Sequence, residues 1–231
     1  MKRFYKDAEA VDAEGGCGIA LDGRPVRTPG RQPLLLPNRA LAEAIADEWR
    51  SQGEVVKPET MPLMRLAATS IDRVAAQREG VIDEVAGYAE TDLVCYRAEG
   101  PAKLVARQQA VWQPLLDWAT LRFDAPLRVT TGVIPQTQPP SSVAALRAAV
   151  AGLDTMALAA LHAATTACGS LIIALALMEG RLDAADAWEA SQLDETFQIE
   201  TWGEDSEAAA RREALRRDIE ATARFMALLR Q

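Results

Sequence analysis

Between Val11 and Pro37, Gly and Pro are dense, and short apolar runs at residues 17–21, 25–27 and 34–36 are separated by Asp22-Gly23 and Thr28-Pro29-Gly30. Asp-Gly supplies the positive φ of a tight hairpin, so this stretch predicts strands and turns. After Asn38 the period changes. Leu41, Ile45 and Trp49 recur at four-residue intervals, with Asn38 placed to cap a helix and Gly53 to end it. That stripe is expected to face the sheet, with Trp49 in the core between them. A second helix is expected from about Pro62 to Val74, with Leu63, Leu66, Ser70, Ile71 and Val74 inward and Arg65, Asp72 and Arg73 more exposed. Two helices on one short sheet make a two-layer α+β unit.

Beyond about Gln77 the period is helical almost throughout. Segments are expected over 81–91, from near Pro101 through Leu104, Val111 and Leu115, and after Pro139-Pro140 through Leu146 and Val150. Pro114 removes a backbone donor inside the second of these and predicts a kink or a new helix start. Residues 127–138 read as an extended connection. The run 155–178 carries no formal charge and is long enough to cross a bilayer. It is built largely from Ala, holds His162, Thr165, Thr166, Gly169 and Ser170, and lacks interfacial Trp or Tyr and flanking Lys or Arg. Two buried core helices are therefore expected, with no membrane insertion. A last helix over about 206–229 carries a seam of Leu215, Ile219, Thr222, Met226 and Leu229, with Arg211, Arg212, Arg216 and Arg217 largely away from it. The predicted fold class is α+β, with a small sheet-plus-helices domain over 1–76 followed by a mainly helical bundle domain over 77–231.

Composition narrows the function. With 231 residues, 49% of them hydrophobic, the chain can bury a substantial core. A net charge of −8 with scattered lysines disfavours a nucleic-acid partner. Cys17, Cys95 and Cys168 are odd in number and far apart, which fits a reducing compartment and neither a disulfide framework nor a zinc site. Neither a P-loop nor a dinucleotide-binding glycine fingerprint is present, so no cofactor is expected. His162 is the one histidine and reads as a core or helix-contact residue. Adjacent carboxylates at Asp47-Glu48, Asp83-Glu84, Asp194-Glu195 and Glu204-Asp205 leave a carboxylate-based hydrolase as an alternative. Neighbours on a helix point about 100° apart, which favours solvated surface instead. Residues 181–207 form a local acidic field containing Trp202. If 181–205 were one helix, Asp194, Gln198 and Asp205 would share a polar stripe; Gly203 could instead end it and leave Glu204 and Asp205 on a turn. The field is either a solvated edge, partly neutralised by the arginines of the last helix, or a partner-docking face.

Several ordered blocks carry a resemblance. They are Arg3-Phe4-Tyr5-Lys6, Leu21-Asp22-Gly23-Arg24-Pro25-Val26-Arg27-Thr28-Pro29, the helix segment Leu41 to Trp49, Met61-Pro62-Leu63, and Ser70-Ile71-Asp72-Arg73-Val74. Thr91-Asp92-Leu93-Val94-Cys95-Tyr96-Arg97, Trp112-Gln113-Pro114-Leu115-Leu116-Asp117-Trp118, Gly169-Ser170-Leu171 and Leu193-Asp194-Glu195 through Trp202-Gly203-Glu204-Asp205 continue the series. Together they resemble the ATP12 family over nearly the whole chain. Local departures are Cys17 where the family often has an aromatic, Met64 after Met-Pro-Leu, and Phe197 where a bulkier aromatic is frequent.

The resemblance implies a chaperone, not an enzyme, that binds the unassembled α subunit of F1 ATP synthase and gives it up to β without hydrolysing ATP. It also implies functional weight on an acid of the C-terminal block, so Glu195, Glu204 and Asp205, with Gln198 and Trp202 beside them, are the partner-binding candidates. A general interaction module for another complex is the remaining alternative. A bacterial cytoplasmic protein is expected, with a processed mitochondrial matrix form as the alternative.

Overall fold

The computed structural model describes residues 1–132 and 134–231, and the chain divides into two compact units. The first comprises Met1–Arg78, Asp154–Ala160 and Arg224–Gln231; the second comprises Glu79–Leu153 and Leu161–Ala223.

In the first unit, β1 (Ala8–Ala13) pairs antiparallel with β2 (Gly16–Leu21), Ala8 opposite Leu21 and Ala13 opposite Gly16, and β2 pairs with the short β3 (Arg24–Pro25). The turn between β2 and β3 has φ 48° at Asp22 and 76° at Gly23, the paired positive values its sequence promised. Most of β1 was not anticipated, because Ala, Glu and Asp have weak strand preference. Pairing with the apolar β2 overrides that preference. Leu36 closes the other side of β2 through reciprocal bonds with Cys17 of 2.9 and 2.8 Å.

The helix α1 (Arg39–Arg50) begins where predicted, the Asn38 side chain accepting from the Leu41 N–H at 2.8 Å. Leu41 and Ile45 are fully buried, but Trp49 is only half-buried, its ring edge-on to Tyr5 at a centroid distance of 5.5 Å. The buried group beside it is an acid. Glu48 is 8% exposed and accepts the Leu63 and Met64 N–H groups, both at 2.8 Å, at the N-terminus of α2 (Pro62–Thr69). Leu63 and Met64 stand in the first turn of α2, where N–H groups have no intrahelical partner, and a carboxylate from α1 satisfies both. Burial nevertheless raises Glu48 above its ordinary pKa, opposed by those two donors. After α2 the chain widens over Ser70–Val74, with the Ala75 N–H bonded to the Ser70 carbonyl at 3.0 Å. Asp72, expected outside, is half-buried and accepts the Thr28 hydroxyl at 2.6 Å and the Gly30 N–H at 2.8 Å.

The remaining elements are helical except for one small ladder. They run α3 (Arg78–Gly87), β4 (Tyr96–Arg97), α4 (Ala102–Phe123), β5 (Thr130–Thr131), α5 (Pro140–Ala151), α6 (Thr155–Cys168), α7 (Leu171–Met178), α8 (Ala184–Ser191), α9 (Leu193–Trp202) and α10 (Ser206–Leu229). Helix α4 runs through Pro114 and no new helix starts there. The connection expected over 127–138 contains β5, which pairs parallel with β4; Val133 lies outside the described residues. The charge-free run breaks as expected into α6 and α7, at Gly169 (φ 64°) and Ser170, whose hydroxyl accepts the Ile173 N–H. Among the described residues no helix is long and apolar enough to cross a membrane. The seam of α10 includes Phe225, fully buried with Ile219 and Met226, while Leu215 and Leu229 are only half-buried. A helical majority with a small antiparallel sheet near the N-terminus makes the chain α+β, as its patterning predicted.

The second unit is pinned by Asp92, which is fully buried. Its Oδ1 accepts the Ser170 hydroxyl at 2.6 Å and the Val94 N–H at 3.2 Å, and its Oδ2 accepts the Ile172 N–H at 3.1 Å. One carboxyl group thus closes its own turn and caps α7. Burial pushes Asp92 up to about 6, against the pull of those donors. Burial likewise pushes the Cys95 and Cys168 thiols up to about 12, which leaves them protonated and unreactive at neutral pH. His162 is partly buried and its Nε2 lies 3.1 Å from Glu84 of α3, an acid the local sequence gave no reason to place there.

Candidate partner-docking site

The acidic segment is two helices, not one. The Asp183 side chain caps α8 by accepting the Asp186 N–H at 2.8 Å, the helix stops at Gln192, and α9 starts directly after it. Gly203, with φ 86°, ends α9 and turns the chain into α10. The polar stripe conceived for a single helix, with Asp205 in line behind Asp194 and Gln198, therefore does not form. A different stripe does. Glu195, Gln198 and Trp202 stand at i, i+3 and i+7 along α9, on one face, and all three are exposed. Trp202 is 77% exposed, the one tryptophan of five in that state.

The other two candidates are held by local structure. Asp205 accepts the Glu207 and Ala208 N–H groups at 2.9 and 3.0 Å, capping α10, and these donors hold its carboxyl below the usual range. Glu204 lies 3.5 Å from Arg212. Arg212 was expected away from the seam, yet it turns inward: its guanidinium sits over the Trp188 ring at 5.3 Å and donates to the Thr196 hydroxyl at 3.1 Å. A long arginine stem can cover apolar surface while its head finds polar partners, which periodicity alone does not reveal. Glu200 pairs with Arg107 of α4 at 2.7 Å, which holds Glu200 below its usual pKa; the pair lies at the surface, Glu200 exposed and Arg107 half-buried, so it adds little stability.

The adjacent carboxylates diverge. Asp47 pairs with Arg50 while Glu48 caps α2. Asp83 pairs with Arg147 while Glu84 meets His162. Asp194 accepts the Gln108 amide at 2.7 Å while Glu195 faces water, and Glu204 and Asp205 separate as described. No adjacent pair forms a two-acid dyad aimed at one point, the arrangement glycoside-type hydrolysis needs. Among the described residues no group of three or more His, Cys, Asp or Glu could hold a metal ion.

Two residues that patterning did not single out line a cleft of about 760 Å³ in the second unit: Arg97 on β4 and Gln108 on α4. Gln108 is buried, its Oε1 accepting the Ala98 N–H at 2.8 Å and its Nε2 donating to Asp194. The available signal was an arginine at the end of an apolar run, Val94-Cys95-Tyr96-Arg97, where a charge is costly unless the fold provides for it.

Comparison with known proteins agrees with this architecture. The ATP12 chaperone protein family profile matches residues 2–120. The crystal structure of Atp12 from Paracoccus denitrificans is similar over 99% of this chain and 98% of that one, with 46% identity and a TM-score of 0.94. A candidate chaperone from Agrobacterium tumefaciens is similar over 99% of this chain and 86% of its own, with 44% identity and a TM-score of 0.94. The mitochondrial protein atp12 of Schizosaccharomyces pombe is 24% identical over 215 residues, covering 88% of this chain and 74% of that one. With a profile matching more than half of its length and relatives of high identity matching almost all of it, the chain belongs to the ATP12 family of chaperones, whose members assist assembly of the F1 ATP synthase.

Proposed function

We propose that this chain binds the unassembled α subunit of F1 ATP synthase, keeps it from aggregating, and releases it for assembly with β without hydrolysing ATP. The observation that carries the docking face is Trp202, 77% exposed on the same stripe of α9 as Glu195 and Gln198. An indole left in water beside charged residues at a helix end is the composition of an interface anchor. The acids around it steer a basic partner and set its orientation more than they add affinity. Glu204 and Asp205 are kept as partner-binding candidates beside this face because they fix the corner between α9 and α10 that follows it. An α subunit without β exposes apolar assembly surface, and a binder that covers it needs complementary shape and no reactive group. The 46% identity to a bacterial Atp12 supports placing this activity in the bacterial cytoplasm.

The test is size exclusion of isolated α subunit mixed with the wild-type chain, Trp202→Ala or Glu195→Lys. A co-eluting complex is expected for the wild type, with affinity reduced roughly tenfold or more by Trp202→Ala and thermal unfolding unchanged. Full affinity in both variants would remove this face from the interface. No complex between α and the wild-type chain would remove the client.

A further inference from the structure

Arg97 is 6% exposed, and its Nε and Nη2 have no hydrogen-bond partner in the structure; its Nη1 donates to the Val94 carbonyl. Its guanidinium is stacked over the Trp112 ring at 5.2 Å, and the indole is itself fixed by a 2.8 Å bond to the Ala190 carbonyl. The backbone beneath it is anchored as well, since Tyr96 and Arg97 pair with Thr130 and Thr131 and the Gly132 N–H donates to the Arg97 carbonyl at 2.9 Å. A buried cation with two idle donors is costly, and such a group in a folded chain calls for a partner. Nε and Nη2 lie along one edge of the guanidinium, the edge that meets a carboxylate through two parallel bonds.

The surroundings fit a polypeptide. Arg97 lines the 760 Å³ cleft together with Thr91, Glu99, Gln108 and Asp194, so one cationic group sits in the wall behind a mouth that also carries two acids. A second cleft of about 600 Å³ shares Thr91 and Pro135 with the first and extends toward Arg147. The shared lining makes a continuous track of mixed apolar and polar surface, longer than a small anion needs. Asp194 is oriented by Gln108, and Glu99 is exposed, so backbone N–H groups or a basic side chain of a bound segment would find acceptors beside Arg97. We infer that this cleft binds an extended polypeptide segment whose acidic side chain turns into the wall to pair with the Nε–Nη2 edge of Arg97. The inference goes beyond the α-subunit reading and does not depend on it: a chain that captures α only through α9 would pass the preceding test and fail this one.

The test is the Arg Nε–Hε region of the nitrogen-15 NMR spectrum of the full chain, with the Arg97 signal identified by its loss in Arg97→Lys. The probes are the peptide Ac-Ala-Glu-Ala-NH2, its glutamine counterpart Ac-Ala-Gln-Ala-NH2, and acetate. The Arg97 signal should move saturably with the glutamate peptide, at affinity about tenfold or more above that for the glutamine peptide and above that for acetate. An unmoved signal, or equal affinity for the two peptides, would overturn the inference. Acetate binding as tightly as the glutamate peptide would overturn the assignment to a polypeptide. Arg97→Gln, checked for folding by its far-ultraviolet spectrum, should lose the glutamate preference in backbone amide shifts around the cleft; keeping it would also overturn the inference.

Discussion

Replacing Asp92 with Asn keeps the size of the side chain and removes its titration, which makes it a direct probe of the buried carboxyl that joins the 92–95 turn to α7. Burial lifts Asp92 from its ordinary 3.8 to about 6. At about 1.4 kcal/mol for each pH step, that rise is worth about 3 kcal/mol of pH-dependent stability. The sign follows from which state holds the proton more tightly. Because the folded pKa is the higher one, the contribution is fully present below about pH 4, is lost as pH rises toward about 6, and is constant above that. Urea unfolding of the wild type and of Asp92→Asn, followed by far-ultraviolet circular dichroism between about pH 4 and about pH 7.5, isolates this term, since the other carboxylates cancel in the difference. The wild type should lose up to about 3 kcal/mol relative to the variant across that window. A flat difference, or one that grows with pH, would show that the three donors on Asp92 outweigh its burial and would refute the reasoning.

Other consequences are local. Glu48→Ala removes the acceptor for the Leu63 and Met64 N–H groups and should cost about 2 kcal/mol in urea unfolding, with Glu48→Gln costing less because it keeps one acceptor. Gly16→Ala would place a Cβ 2.4 Å from the Leu36 carbonyl oxygen, so it should break the Cys17–Leu36 pairing and lower the stability to urea, whereas Gly53→Ala, with open space around it, should leave the unfolding free energy within about 0.5 kcal/mol of wild type. Trp112→Ala empties a fully buried site and should cost about 3–5 kcal/mol of stability; Trp202→Ala, at an exposed site, should leave unfolding unchanged and weaken only partner binding, so a matching loss of stability in both would contradict their assigned environments.

What patterning revealed was whatever depends on local period and end chemistry. The Asn38 cap, the four-residue stripe through Leu41 and Ile45, the Asp22-Gly23 turn and the split of the charge-free run at Gly169 all follow from rules that act within a few residues. Features set by distant partners were not legible. Strand β1 is held by β2 against its own composition, and Glu48 sits in what reads as a solvated Asp-Glu pair until the N-terminus of α2 arrives beside it. Arg212 has the spacing of an outward residue, yet it is drawn inward by Trp188 of α8 and by Glu204 on the turn before α10. Trp202 lies between these cases: the composition around it allowed either a core plug or an anchor, and only its exposure separates them. Arg97 closes the 91–97 block with nothing local to mark it, because unpaired donors become visible only once every neighbour is in place.

The central claim is selective protection of one client, and the direct measurement is light scattering as isolated F1 α subunit is diluted from denaturant with and without this chain. F1 β subunit and an unrelated aggregating protein serve as controls. Suppression of scattering for α, with little effect on either control, is the predicted result. No effect on α, or equal suppression of all three proteins, would contradict the claim.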